Sequence, residues 1–160
     1  MNKIIQQLRV QVIIEIPRGS FIKRGTSGCV DFVSPFPCPF NYGSVHDYVG
    51  GDGDLLDAVV LGPHLSHGER VEVEVHGAVG FTDRGIYDDK LICSPRPLRP
   101  LYRQLVPLFF HFYALCKRLL NLYRGRPGRT VCEGWGEAEP AIARARLRED
   151  TAWNGPAVPY

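Results

Sequence analysis

The stretch Arg70-Val71-Glu72-Val73-Glu74-Val75-His76-Gly77-Ala78-Val79-Gly80-Phe81 places valines at every second position against glutamates, the period of a strand with one buried face. Working outward, Leu8–Ile16 alternates and then turns continuously apolar before Pro17, and further strands are expected over Gly28–Val33, Asp57–Leu61 and Lys90–Cys93. Gly, Pro or Asp clusters bound each of them. Several short strands at this spacing predict a mainly β protein built on a small barrel.

After Pro100 the pattern becomes helical. Leu101–Tyr123 carries apolar residues on more than one face, with Pro107 either starting the main helix or kinking it, and a second helix is expected over Glu137–Glu149 with Pro140 in its first turn. Arg124–Arg129 reads as a loop and Trp153–Tyr160 as a loose tail. The 160 residues, 44% of them hydrophobic, suit a single domain over 1–160, with a barrel core over about 8–95 and a helical part over about 100–150. The formal charge is only +2, yet no Asp or Glu occurs from Lys90 to Cys132, where arginines accumulate from Arg96 to Arg129. That basic segment suits either a solvated face or the steering of an anionic partner. The five cysteines form no CxxC pair and no regular framework, so reduced thiols and a cytoplasmic location are expected. Met1–Gln7 is too polar for a signal peptide, and the uncharged run Gln104–Cys116, 13 residues, is shorter than the roughly 20 of a spanning helix, so no membrane association is expected.

Chemistry concentrates in two acidic turns. In Gly50-Gly51-Asp52-Gly53-Asp54-Leu55-Leu56-Asp57, glycines loosen a turn ahead of a strand so that three carboxylates can converge. Hard divalent cations gather such oxygen ligands, whereas unneutralised carboxylates at that spacing repel one another. An ordinary Asp-Gly turn is the competing reading. An EF-hand loop is disfavoured, because the chain runs from Asp57 into a strand instead of toward a bidentate glutamate. The second turn, Asp83 with Asp88, Asp89 and Lys90, follows the long strand and opens the next.

Taken in order, Val12-Ile13-Ile14-Glu15-Ile16-Pro17-Arg18-Gly19-Ser20 with Lys23, Pro39-Phe40-Asn41-Tyr42-Gly43, Asp52-Gly53-Asp54-Leu55-Leu56-Asp57, and Asp83 with Asp88 and Lys90 resemble the family I soluble inorganic pyrophosphatases. The resemblance covers about residues 8–94 and resumes weakly at Phe109–Tyr113 and Glu133-Gly134-Trp135. It implies an OB-like five-stranded barrel with flanking C-terminal helices. It also implies hydrolysis of inorganic diphosphate to two phosphates, several Mg²⁺ ions per site, and a homo-oligomer, a hexamer in relatives. By the same resemblance Asp52, Asp57 and Asp88 are ligands of the tighter metal site, with Asp57 also facing a second ion. Asp83 and Asp88 meet the ions that arrive with substrate. Asp54 accepts the proton of the attacking water, Glu15 supports the metal waters, and Lys23, Tyr42, Lys90 and Tyr113 hold phosphate oxygens.

The chain departs from the family pattern at several places. Gly25 stands where a supporting glutamate is usual, and Asp31–Phe36 offers no arginine ahead of Pro39-Phe40-Asn41-Tyr42-Gly43. Cys38 replaces a tyrosine, Leu55 a Pro or Glu, and Ala114 the lysine after the helix tyrosine. Arg24 and Arg84 are the neighbouring cations able to compensate. A weakened relative that binds a phosphorylated ligand is therefore an alternative, and an OB-type nucleic-acid module is a third, at odds with the acidic mouth. His46, His64, His67, His76 and His111 show no zinc spacing, and Cys38 has no base beside it, so zinc chemistry and a thiol nucleophile are not expected.

Overall fold

The computed structural model describes residues 7–24, 29–34 and 36–147. The expected tail Trp153–Tyr160, the polar Met1–Gln6, Gly25 and the end of the second helix beyond 147 lie outside these residues, as does the side chain of Arg24. The strands are β1 Arg9–Ile16, β2 Ile22–Arg24, β3 Val30–Val33, β4 Asn41–Val49, β5 Leu55–Val60, β6 Arg70–Asp83, β7 Ile86–Tyr87, β8 Lys90–Ser94, β9 Val131–Gly136 and β10 Arg146–Leu147, with helices α1 Tyr102–Tyr123 and α2 Ala138–Arg144. Strand β1 pairs with β4, β4 with β5, β5 with β8, β8 with β6, and β6 returns to β1, which closes the expected five-stranded barrel. Closure removes the open edges that short strands otherwise expose. Among the described residues only β5 and β8 run parallel, with Asp57 directly beside Lys90.

Side-chain alternation divides the barrel wall into two apolar layers. The first gathers Val12, Ile14, Val45, Ala58, Val60, Val73 and Leu91, with Ala141 of α2 packed against it. The second, made by the alternate residues Val59, Leu61, Val79, Phe81 and Ile92, packs against Val106, Phe110 and Ala114 of α1. Asp57 shares the second face with Val59, and Lys90 shares it with Ile92. The site residues of β5 and β8 therefore point toward α1.

Strand β4 was not legible in the sequence, because Asn41, Gly43 and Ser44 interrupt the apolar alternation. All three are buried for specific reasons. The Asn41 side chain accepts hydrogen bonds from the Arg18 and Leu65 amides, each at 2.9 Å, and donates to the Val60 carbonyl at 3.2 Å and the Pro63 carbonyl at 2.9 Å. Its four bonds fully satisfy a buried amide. Gly43 lies so close to β1 that a Cβ would overlap the Ile13 carbonyl. Ser44 belongs to the site.

Helix α1 runs through Pro107, which stands inside its second turn and neither starts nor ends it. As the sixth helical residue it lies past the unpaired N-terminal donors, so the bond that an amide there would make to the Arg103 carbonyl is missing. The helix stops at Gly125, whose φ of 64° is the left-handed conformation glycine accepts without strain. At 22 residues α1 is longer than its uncharged run and, by length and composition alone, long enough to cross a bilayer. Its inner face, however, forms part of the barrel core. Helix α2 ends at Arg144, short of the expected boundary, because the chain pairs Arg146 and Leu147 with Val49 and Tyr48.

Candidate active site

A cavity of about 670 Å³ opens between β4, β5, β8 and α1, and its lining includes Glu15, Lys23, Tyr42, Asp52, Asp54, Asp57, Asp88, Lys90 and Tyr113. Nine of the ten residues implicated by sequence thus share one space. The acidic turn is held by the Gly50 amide donating to the Asp54 carbonyl at 2.7 Å and the Asp54 amide donating to Asp52 Oδ1 at 3.1 Å. Gly51 brings this turn against the second one, since a Cβ there would stand 2.9 Å from the Tyr87 carbonyl oxygen.

Lys90 is the electrostatic centre. Its ammonium lies 2.6 Å from Asp57 and 2.5 Å from Asp88, with only 2% of its side chain exposed. Burial works against the charge, but Asp57 and Asp88 outweigh it and hold Lys90 protonated. Burial likewise opposes ionisation of Asp57, yet Lys90 and Lys23 keep its pKa below the usual carboxylate range. Asp88 is pushed up to about 7 by burial, and by Asp57 and Asp52, against the pull of Lys90. The Tyr42 hydroxyl donates to Asp57, and burial together with Asp57 and Asp88 keeps it protonated.

Around this centre, Ser44 Oγ donates to Glu15, and Lys23 pairs with Glu15 at 3.5 Å. Ser44 was not identified from sequence, since a lone serine on an unrecognised strand carries no signal. Burial opposes the Lys23 ammonium, but Glu15 and Asp57 raise its pKa. Asp54 is raised by burial and by its neighbours Asp52 and Asp57, with Lys23 opposing, which makes it more basic than an ordinary aspartate. Cys38, beside the cavity, has its thiol pushed up to about 11 by burial, in keeping with a non-nucleophilic role.

Asp83 is the residue that does not join the group. It accepts from Lys117 at 2.8 Å, Asn121 at 3.1 Å and Thr130 at 3.0 Å, and so ties α1 to the barrel wall. These bonds outweigh burial and lower its pKa. Asp89 is likewise held apart, by the Phe81 amide at 3.1 Å and by Arg144 at 3.0 Å. Lys117 reaches the cavity wall from the same helix face as Tyr113, over whose ring its ammonium sits at 5.9 Å, and Arg124 lines the cavity as well. Both are cations that sequence spacing did not single out. A turn-to-turn count from Tyr113 along the helix was the available signal for Lys117. Arg84 is not among the lining residues.

A prediction follows for Asp83. Because its folded pKa is lowered, its contribution to stability is fully present above the ordinary aspartate pKa near 4 and is lost as pH falls through the lower folded value. Asp83→Asn is therefore expected to destabilise the protein by on the order of 1 kcal/mol at pH 7, allowing for solvent screening, and to lose less further stability than wild type between about pH 5 and pH 2. Urea titrations across that range test this, and parallel pH profiles for the two proteins contradict it.

The donor set suits a hard divalent cation, being oxygen-only and clustered where burial, and the neighbours Asp57 and Asp52, oppose ionisation of Asp88. As the side chains stand, Lys90 fills the space between Asp57 and Asp88, and among the described residues no three carboxylates converge at ligand distance.

Comparison with known proteins agrees with the geometry. The family model described as inorganic pyrophosphatase matches residues 12–108. The inorganic pyrophosphatase of Haemophilus influenzae is 32% identical, the alignment covering 91% of this chain and 89% of that protein. Among solved structures, the inorganic pyrophosphatase of Neisseria gonorrhoeae superposes with a TM-score of 0.67 at 28% identity, covering 84% of this chain and 86% of the other. That of Thermus thermophilus gives 0.68 at 26% identity, covering 90% of each. With the barrel, the two acidic turns and these similarities in agreement, the chain belongs to the inorganic pyrophosphatase family.

Proposed function

We propose that this protein hydrolyses inorganic diphosphate to two phosphates with Mg²⁺. The observation that carries the reading is a single cavity in which Glu15, Asp52, Asp54, Asp57 and Asp88 face Lys23, Lys90, Lys117 and Arg124. Five carboxylates against four cations leave no surplus positive charge for a compact phosphate anion, so divalent ions must bind with it. The family implies such a cofactor. Asp52, Asp57 and Asp88 would hold it, while Asp83 stands outside the cavity lining, bound to Lys117, Asn121 and Thr130. Bound cations supply Lewis acidity toward water and phosphoryl oxygens.

The chain's own groups account for the remaining chemistry. Asp54, made basic by burial and by Asp52 and Asp57, accepts the proton of the attacking water. Lys23, Tyr42, Lys90 and Tyr113 hold phosphate oxygens, and Lys117 supplies a cation on the side where Ala114 replaces a lysine. Glu15, oriented by Ser44 and Lys23, keeps the floor of the site polar. Stabilisation of charge on the departing phosphate is the main task left to the protein in phosphoryl transfer. The free cysteines suit a reducing cytoplasm, and the form expected is a homo-oligomer, hexameric as the resemblance implies.

The test is phosphate release from pyrophosphate in saturating Mg²⁺, after chelation, and after Mg²⁺ is restored. Turnover is expected to disappear with chelation and to return with the metal. Release no faster than buffer in saturating Mg²⁺ removes the enzyme reading and favours the ligand-binding alternative.

The nucleic-acid alternative is weakened, because part of the basic segment is engaged within the fold. Lys117 binds Asp83, Arg118 Nε donates to the Thr130 carbonyl, Arg103 lies over the Trp135 ring, and Arg124 lines the cavity.

A further inference from the structure

Tyr113, Lys117 and Asn121 stand four residues apart on α1 and therefore on one face of it. This row meets Asp83 at the end of β6. Lys117 Nζ donates to Asp83 Oδ2 at 2.8 Å, while the Asn121 side-chain amide and the Thr130 hydroxyl donate to Asp83 Oδ1 at 3.1 and 3.0 Å. Three of the roughly four acceptor positions of the carboxylate are thus taken. Asn121 and Thr130 are only 8% and 2% exposed, so their donors have little access to water and depend on Asp83.

The resemblance gives Asp83 and Asp88 to the ions that arrive with substrate, but Asp83 does not fit that role. It stands outside the cavity lining, whereas Lys117 is part of it. Mg²⁺ demands a near-octahedral oxygen shell, and an ion at Asp83 has to displace an ammonium and crowd two buried donors. Positive charge is already supplied there. Burial opposes the Lys117 ammonium, yet Tyr113, Asp83 and Asp88 outweigh burial and raise its pKa, so one fixed charge answers both carboxylates. We propose that Lys117 is a built-in replacement for one substrate-associated metal ion. Its ammonium neutralises Asp83 and meets a pyrophosphate oxygen at this wall of the cavity, so the loaded site holds one divalent ion fewer than Asp83 recruits when left unpaired. An ammonium on a flexible stem carries three donors and can hold Asp83 and a phosphate oxygen together. It brings charge but no Lewis acidity toward water, so it stands in for an ion that binds substrate and not for one held by Asp52, Asp57 and Asp88. The inference rests on the pyrophosphatase reading above.

The test counts bound Mn²⁺, the free ion being read by electron paramagnetic resonance, with methylenediphosphonate as a non-hydrolysable stand-in for pyrophosphate. Wild type is compared with Asp83→Asn, Lys117→Met and Lys117→Met/Asp83→Asn, and far-ultraviolet circular dichroism checks the fold of each. With methylenediphosphonate present, Asp83→Asn is expected to bind as many ions per chain as wild type, Lys117→Met one more, and the double variant the wild-type number again. An ion lost in Asp83→Asn, equal numbers in wild type and Lys117→Met, or an extra ion that survives in the double variant overturns the proposal. Should Lys117→Met not fold, Asp83→Asn alone still decides, because a true ligand cannot be neutralised without losing its ion. Wild-type turnover of pyrophosphate in Mg²⁺ separates the two failures. A contrary ion count in an active enzyme rejects the role of Lys117 alone, whereas no turnover and no Mn²⁺ bound in response to methylenediphosphonate removes the pyrophosphatase reading with it.

Discussion

Lys90→Met is expected to lower folding stability by about 3–5 kcal/mol and to abolish turnover. Methionine fills the volume of the lysine stem but supplies no charge, so Asp57 and Asp88, now 2.6 and 2.5 Å from the ammonium, are left facing each other across a nearly dry gap. The penalty comes mainly from these stranded carboxylates, because truncating one partner of a buried pair costs more than the pair itself contributes. Loss of the contact between Lys90 and the Phe81 ring, 5.4 Å from ammonium to centroid, adds a smaller amount. A second variant separates the causes. If the charges are responsible, Asp88→Asn combined with Lys90→Met recovers part of the lost stability, a coupling that a double-mutant cycle in urea measures directly. An unchanged denaturation midpoint in Lys90→Met contradicts this account, and a double variant no more stable than the single assigns the loss to packing.

Asp54→Asn is expected to leave stability near wild type while lowering turnover by about 10²–10⁴-fold, the range for removing a general base. The turn survives because its hydrogen bonds use the Asp54 amide and carbonyl, not the side chain. What is lost is a carboxylate whose pKa is raised by burial, Asp52 and Asp57. The same shift sets the pH dependence: an elevated pKa means Asp54 takes up a proton at a higher pH than an ordinary aspartate, so wild-type turnover falls on the acid side as pH drops through that value. The residual activity of the asparagine variant is expected to lack this limb. Turnover within twofold of wild type assigns the proton to another acceptor.

Much of this protein was written locally. The alternation of Val71, Val73 and Val75, and the Gly-rich spacing of Asp52, Asp54 and Asp57, indicate a strand and a carboxylate turn before any contact is known, because both depend on neighbours a few residues apart. The barrel and helix α1 followed from such signals, and the order of the motifs, through the family resemblance, picked out ten residues of which nine line one cavity. Strand β4 did not, since its burial depends on hydrogen bonds from Arg18 and Leu65 to Asn41 and on the approach of Ile13 to Gly43, partners distant in sequence.

What only the tertiary structure decided is how the charges are shared. Asp83 and Asp88 look equivalent in sequence, five residues apart in one acidic turn, yet Asp88 faces Lys90 in the cavity while Asp83 is captured by Lys117, Asn121 and Thr130. Likewise α1 reads as apolar on several faces, and only packing shows that Val106, Phe110 and Ala114 are spent on the barrel while Leu108, Leu115 and Leu119 are left outside. The sequence by itself determined which residue types occur and with what period, and hence strands β1, β3, β5, β6 and β8, the two acidic turns and the family. The tertiary structure determined which opposite charge lies within 3 Å of Asp57, Asp83 and Asp88 and which face of each helix meets the core, because Coulomb energy and burial depend on distance in space rather than along the chain.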